Sequence, residues 1–216
     1  MGADTCKLVS LNVRGISNFL KRRMIFTWCR KQRTDFFFLE EIHSKSDTET
    51  QWKNEWGGEI ILSHGSPNSC GVAILLKKGV DCVIHSKILD SQGRYIILKA
   101  EIKDKMYVLI NIYAPNKDTC IIQFLNTLLF TLRKENLDEE ENIILGGDFN
   151  CPLNLFLDKK GGILTPRKSV VKTIESLQDE LDLVDIWRIK NPTKKRFYVG
   201  SELSNDLLSF GLLANF

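Results

Sequence analysis

Residues 143–152 read Ile143-Ile144-Leu145-Gly146-Gly147-Asp148-Phe149-Asn150-Cys151-Pro152, an apolar run that stops abruptly at an acid and an amide two residues apart. Strand alternation sends Asp148 and Asn150 to the same side, at the end of a strand whose preceding residues are buried. A carboxylate beside a carboxamide at that place suits a water or a phosphoryl oxygen. Gly-Gly-Asp and Asn are also common turn formers, so the segment alone is equally a tight strand exit.

Working outward, the pattern recurs. Asn12 follows Leu8-Val9-Ser10-Leu11, Glu41 follows Phe36-Phe37-Phe38-Leu39-Glu40, and Tyr113 lies in Asn111-Ile112-Tyr113-Ala114-Pro115-Asn116. Taken singly, Asn12 reads equally as a turn cap, Glu41 as a helix N-terminal acid and Tyr113 as an edge aromatic. Four polar residues at strand ends of one α/β domain are much less expected by chance, because ligands gather there.

Around these ends the periodicity predicts strands over 7–12, 34–39, 59–63, 71–76 and 80–88, a hairpin of 94–102 with 105–113, and a strand over 142–147. Helices are predicted over 18–33, 119–134 and 168–181, with a polar stretch holding Trp52 and Trp56 and a Gly-Gly loop at 161–162. Strands and helices interleave with hairpins, which predicts an α/β protein with mixed sheets.

Composition narrows the function classes. A chain of 216 residues can bury one large core. Its net charge is only +3, but the bases are zoned: Lys21 to Arg33, Lys159 to Lys172 and Arg188 to Arg196, against acids at Glu135 to Glu141. Such zoning can present a positive face to nucleic acid, although each cluster alone reads as a solvated helix face. The six cysteines form no C-x-x-C pair and sit near no histidine at ligand spacing, which argues against zinc and a disulfide framework. The start MGADTC has Gly2 but lacks the Ser or Thr of a myristoylation signal, and neither a signal peptide nor a membrane-spanning run is visible. A nuclear or cytoplasmic, non-secreted, monomeric protein without membrane attachment is expected. Also absent are G-x-S-x-G, H-E-x-x-H and G-x-x-x-x-G-K-[ST].

Mg²⁺ takes a few carboxylate oxygens and keeps several waters, which Glu41 with Asp148 or Asn12 would suit. Phosphodiester hydrolysis needs such a cation, donors to the nonbridging oxygens and a base for the attacking water. Asn150 and Tyr113 can donate; Asp148 can orient or deprotonate a water.

The motifs S-L-N-V-R-G (10–15), F-L-E-E-I-H-S (38–44), N-I-Y-A-P-N (111–116) and G-G-D-F-N-C-P-L-N (146–154), in that order, resemble the endonuclease/exonuclease/phosphatase superfamily. The nearest resemblance is to the apurinic-endonuclease-like domain of non-LTR (LINE-type) retrotransposon polyproteins. Gly93-Arg94-Tyr95, Leu157-Asp158-Lys159-Lys160-Gly161-Gly162 and Leu183-Val184-Asp185-Ile186-Trp187-Arg188 agree with it, and the similarity runs from about residue 7 to 197. The resemblance implies a four-layered α/β sandwich of two mixed sheets flanked by helices, dependence on Mg²⁺ (or Mn²⁺), and nicking of target DNA to prime reverse transcription. By matching position, Glu41 would bind the metal with Asn12 and Asp148. Tyr113 and Asn150 would contact the scissile phosphate, and Asp148 would position the water. Arg14, Arg94, Asn116, Lys159 and Lys160 are the residues expected against DNA.

Departures accompany the match. Relatives carry Gln before the metal Glu and Thr after it, where this chain has Glu40 and Ile42; alternation predicts that Glu40 points outward. After residue 197 the relatives' R-x-D-Y and S-D-H do not appear, and residues 86–216 contain no histidine. The expected division is therefore a domain over 1–199, incomplete at its C-terminal end and lacking the family's final strands, and an unmatched apolar tail over 200–216. The tail is expected to supply no replacement structure, and the second sheet to keep an exposed edge. Function is expected to be an impaired or inactive DNA endonuclease. The alternatives are a catalytically dead DNA- or partner-binding module and, lower, a phosphatase of the same superfamily.

Overall fold

The run Phe36-Phe37-Phe38-Leu39 is buried on both of its faces. In the computed structural model, which describes residues 7–66, 69–153, 157, 166–194 and 212–214, Phe36 and Phe38 pack into one apolar layer and Phe37 and Leu39 into another. Period-two alternation produces this split, and two covered faces explain why all four positions are apolar.

That strand, β2 (Phe36–Glu40), lies in a sheet with β1 (Leu8–Asn12), β3 (Glu59–Ser63) and β4 (Val72–Leu76), in the order β1-β2-β4-β3. The second sheet holds β5 (Cys82–Leu89), β6 (Tyr95–Ile102), β7 (Lys105–Tyr113), β8 (Ile143–Asp148), β9 (Val184–Asp185) and β10 (Leu212–Ala214), in the order β5-β6-β7-β8-β10-β9. Each sheet has one parallel pair, β1 with β2 and β7 with β8; the other pairs are antiparallel.

Helices α1 (Phe19–Lys31) and α2 (Glu49–Trp56) cover the outer face of the first sheet through Ile25, Phe26, Cys29, Trp52 and Trp56. Helices α3 (Asp118–Lys134) and α4 (Lys168–Glu180) cover the second through Ile121, Leu125, Leu128, Val170, Ile174 and Leu177. A short α5 (Ile186–Lys190) follows β9. Between the sheets lie Phe36, Phe38, Ile74, Leu98 and Leu109. The chain is the expected four-layered α/β sandwich of two mixed sheets.

Helix α2 falls where only a polar stretch was expected. Its two tryptophans are four apart and share one face, and Gly57 ends it in the left-handed conformation at φ 76°. The tail also departs from expectation. Leu212–Ala214 forms β10 between β8 and β9, with Leu213 and Ala214 buried. The expected exposed edge beside β8 is thus filled by tail residues.

Each parallel pair is joined by a crossover helix, α1 between β1 and β2 and α3 between β7 and β8, so both members of each pair end at the same place. The register sets Asn12 beside Glu40 and Tyr113 beside Asp148. Asn111, fully buried in β7, donates through Nδ2 to the carbonyls of Leu39 (3.2 Å) and Ala73 (2.9 Å), tying the two sheets together.

Candidate active site

Two strand ends from different sheets meet at Asp148. Asn12 Nδ2 donates to Asp148 Oδ2 at 3.0 Å across the sheet interface, and the Asn150 backbone N–H donates to Asp148 Oδ1 at 2.9 Å. Asn12 Oδ1 accepts from the Arg14 N–H, and Asn150 Nδ2 donates to the Ala114 carbonyl at 2.7 Å. Asp148 is 4% exposed. Burial raises its pKa above the ordinary carboxylate value; the Asn12 and Asn150 hydrogen bonds oppose that rise, and the nearby Glu41 adds to it.

The backbone at this corner is contorted. Asn150 (φ 49°), Glu41 (φ 59°), His43 (φ 55°) and Arg14 (φ 47°) all occupy the left-handed region, which costs of order 1–3 kcal/mol per residue and needs surroundings that over-determine it. The surroundings do so. Gly15 N–H bonds the Glu41 carbonyl (2.6 Å), Ile16 N–H the Ile42 carbonyl (3.0 Å), Ile42 N–H the Gly71 carbonyl (3.0 Å) and His43 N–H the Cys70 carbonyl (3.0 Å). Gly147 sits at φ 121°, where an added Cβ would lie 2.0 Å from the Ile112 carbonyl oxygen; only glycine lets β8 approach β7 this closely before Asp148.

Glu41 belongs to the same electrostatic group as Asp148 and Tyr113. His43, part of the 38–44 motif but given no role by it, brings Nε2 to 3.8 Å from Glu41 Oε1, and that nitrogen is buried without a hydrogen-bond partner. The left-handed turn at 41–43 causes this, because it folds the residue two positions on back toward the carboxylate. Tyr113 has its phenol pushed up to about 12 by burial, Glu41 and Asp148, so it stays protonated and can donate. The Arg94 guanidinium lies 5.2 Å from the Tyr113 ring centroid.

Glu40 does not point outward. It continues the Phe36 and Phe38 face, is fully buried, and accepts from Ser10 Oγ at 3.1 Å through Oε1, while Oε2 has no partner. Burial first and Asp148 second push its pKa well above 4.5. A neutral Glu40 presents the shape and charge of the glutamine expected there. Ile42, fully buried, packs in the hydrophobic core with Ile16, Leu39 and Ala73.

The residues expected against DNA divide. Arg14 and Asn116 are exposed beside the site, while Arg94 is half-buried against Tyr113. Lys159 and Lys160 lie outside the described residues. Arg167, grouped in sequence with the second basic cluster, turns inward: Nε donates to Asp118 Oδ1 (2.7 Å), Nη2 to the Asn116 carbonyl (2.8 Å) and Nη1 to the Asn150 carbonyl. On the other flank, Ser44 Oγ meets His64 Nδ1 at 2.7 Å and His64 Nε2 meets Glu49 Oε1 at 2.7 Å, joining the loop after Glu41 to α2. Sequence reading found none of these supports.

Among the described residues no three His, Cys, Asp or Glu side chains form a metal cage. Glu41 instead adds its negative charge to the cost of ionising Asp148 at one corner, beside the Asn12 amide. Two carboxylates and an amide fit a hard divalent cation that keeps most of its waters, and such a cation would relieve their repulsion.

The chain belongs to the Endonuclease/Exonuclease/phosphatase family, whose sequence model matches residues 9–189. It is 28% identical over 188 residues to the Transposon TX1 uncharacterized 149 kDa protein of Xenopus laevis, covering 87% of this chain and 14% of that one. The chain thus spans about one seventh of that relative's length. Solved structures share the fold. An AP endonuclease from Archaeoglobus fulgidus superposes with a TM-score of 0.73 at 18% identity, over 98% of this chain and 87% of that one. A 3′ phosphatase from Neisseria bound to a product DNA hairpin gives 0.71 at 17%, over 98% and 87%. AP endonuclease from Leishmania major gives 0.69 at 15%, over 97% and 79%.

Proposed function

We propose that this chain is a divalent-metal-dependent phosphodiesterase of the DNA endonuclease type, from a transposon lineage, with slow turnover. The observation that carries the reading is the chain of hydrogen bonds from Asn12 through Asp148 to Asn150, with Tyr113 in register beside Asp148. The transposon relative supports the lineage, and fold neighbours named for AP endonuclease activity support a DNA substrate.

Glu41, Asn12 and Asp148 would hold Mg²⁺ (or Mn²⁺), which when bound neutralises charge on the phosphodiester. Asp148, fixed at both oxygens, holds the attacking water as a hydrogen-bond acceptor. The Tyr113 phenol and the Asn150 amide donate to the nonbridging oxygens. Residues 86–216 hold no histidine, and the three in the chain are His43, His64 and His85. His43 Nε2 and His64 are engaged or buried behind Glu41 and Ser44. Among the described residues Asp148 is the group placed to take the water's proton, and working without a partner acid or base typically costs about 10²–10⁴-fold.

The test is nicking of supercoiled plasmid by the wild type, Glu41→Ala and Asp148→Ala, with Mg²⁺ and with EDTA. Slow, Mg²⁺-dependent nicking that both substitutions abolish is expected. Plasmid binding without nicking, unchanged by Asp148→Ala, would instead make the chain a DNA-binding module.

A further inference from the structure

We propose that Arg167 is a positioning residue, whose guanidinium straps the loop after β8 to the loop after β7 and so aims Asn150 at the scissile phosphate. The inference rests on the endonuclease reading above for the identity of that phosphate. The strap itself rests on geometry alone.

Three acceptors on three segments converge on one planar group. They are the Asn150 carbonyl after β8, the Asn116 carbonyl after β7, and Asp118 Oδ1 at the start of α3. A guanidinium has donors on all three nitrogens in a rigid fork, which matches this set; an ammonium is a point donor on a flexible stem and does not. The strap is anchored from behind, because Arg167 immediately precedes α4, whose Val170, Ile174 and Leu177 are buried in the core.

What the strap holds is a residue that needs holding. Asn150 is left-handed at φ 49°, with its N–H on Asp148 Oδ1 and its side-chain amide on the Ala114 carbonyl. The Arg167 bond to its carbonyl is the third tie on that residue, and the bond to Asn116 makes both site loops move as one unit. The Arg167 side chain is 21% exposed and directed at these acceptors, so its charge serves the loops and not a DNA phosphate.

A misplacement of about 1 Å at a reacting centre can cost about 10²-fold in rate. Arg167→Ala is therefore expected to lower kcat for plasmid nicking about 10²-fold, with little change in DNA affinity or its salt dependence. Arg167→Lys should stay impaired, and added guanidinium at non-denaturing concentration should restore Arg167→Ala in part. A second readout does not need turnover. In ¹⁵N NMR spectra the Asn116 and Asn150 amides should shift in Arg167→Ala and return with guanidinium, while the Glu41 amide stays in place.

If the wild type fails to nick, the endonuclease reading falls and the spectra still decide the strap. Unmoved Asn116 and Asn150 amides overturn the proposal. So does a weaker DNA affinity with the salt slope reduced by about one and kcat unchanged, which is the behaviour of a phosphate contact. Full activity in Arg167→Lys overturns it too, and that variant keeps the charge should the alanine variant fail to fold.

Discussion

Glu40→Gln is expected to stabilise this protein, by an amount that grows with pH. Glu40 is fully buried, one of its oxygens has no partner, and Asp148 is close, so the folded state favours the protonated carboxyl. The unfolded chain releases that proton near the ordinary value of 4.5. Below that pH Glu40 is neutral in both states and contributes no slope. Above it, and until the folded group ionises, the native state binds about one proton more than the unfolded state. Stability then falls by about 1.4 kcal/mol for each pH unit gained. Glutamine keeps the shape, stays neutral at every pH and removes this loss. At about 2–4 °C per kcal/mol for a chain of this size, the Tm difference between variant and wild type should widen by about 3–6 °C per pH unit from pH 4.5 up to the pH at which the folded carboxyl ionises, and level off above it. Urea and thermal unfolding from pH 4 to pH 8 in EDTA, which keeps metal linkage out, measure it. Parallel pH curves for the two proteins would refute the burial argument, as would a variant less stable than wild type at pH 7.

Other outcomes follow from single contacts. Asn111→Leu removes both side-chain bonds between the sheets and leaves the Leu39 and Ala73 carbonyls without that buried donor; a loss of about 1–3 kcal/mol is expected in urea unfolding. Gly147→Ala would push a Cβ to 2.0 Å from the Ile112 carbonyl oxygen at a φ of 121°, so soluble expression or Tm should drop sharply, and a Tm within 1 °C of wild type (roughly 0.3 kcal/mol) would contradict the close approach of β7 and β8. Leu213→Ala truncates a side chain buried between α3, α4 and the second sheet; a cost of about 2–5 kcal/mol is expected, and a neutral result would show that β10 is not part of the folded sheet.

Much of the fold was legible because alternation is a local signal. The segments predicted as strands over 59–63, 71–76 and 105–113 appear within a residue of their expected bounds, as does the helix expected over 119–134, while the helix expected over 18–33 ends two residues early, at Lys31. Helix α2 was missed because Glu49–Trp56 offers only Trp52 and Trp56 as apolar residues, and two points four apart are a weak period. The strand β10 was missed for a different reason. Leu212–Ala214 has no alternation of its own, and its partners are Val184, Asp185 and Ile144 to Gly146, far away in sequence. Nothing local to the tail records that β8 and β9 leave a strand-wide gap between them.

The site divides along the same line between local and non-local information. Which residues stand at strand ends could be read from the chain, and Asn12, Asp148, Asn150, Glu41 and Tyr113 do converge. Where their neighbours point could not. Alternation predicts Glu40 outward, but β2 is covered on both faces, so the face opposite Leu39 is the layer between the sheets. Alternation then ends at residue 40, because Glu41 turns left-handed, and His43 is carried back onto the Glu41 carboxylate. Arg167 shows the same limit from the basic side: in sequence it is one cation in a run, and only the meeting of the loops at Asn116 and Asn150 makes it a strap. A candidate site built where two sheets close on each other takes its chemical groups from strand ends, which sequence reveals. It takes their aim from loops 17 to 51 residues apart, which only the folded chain brings together.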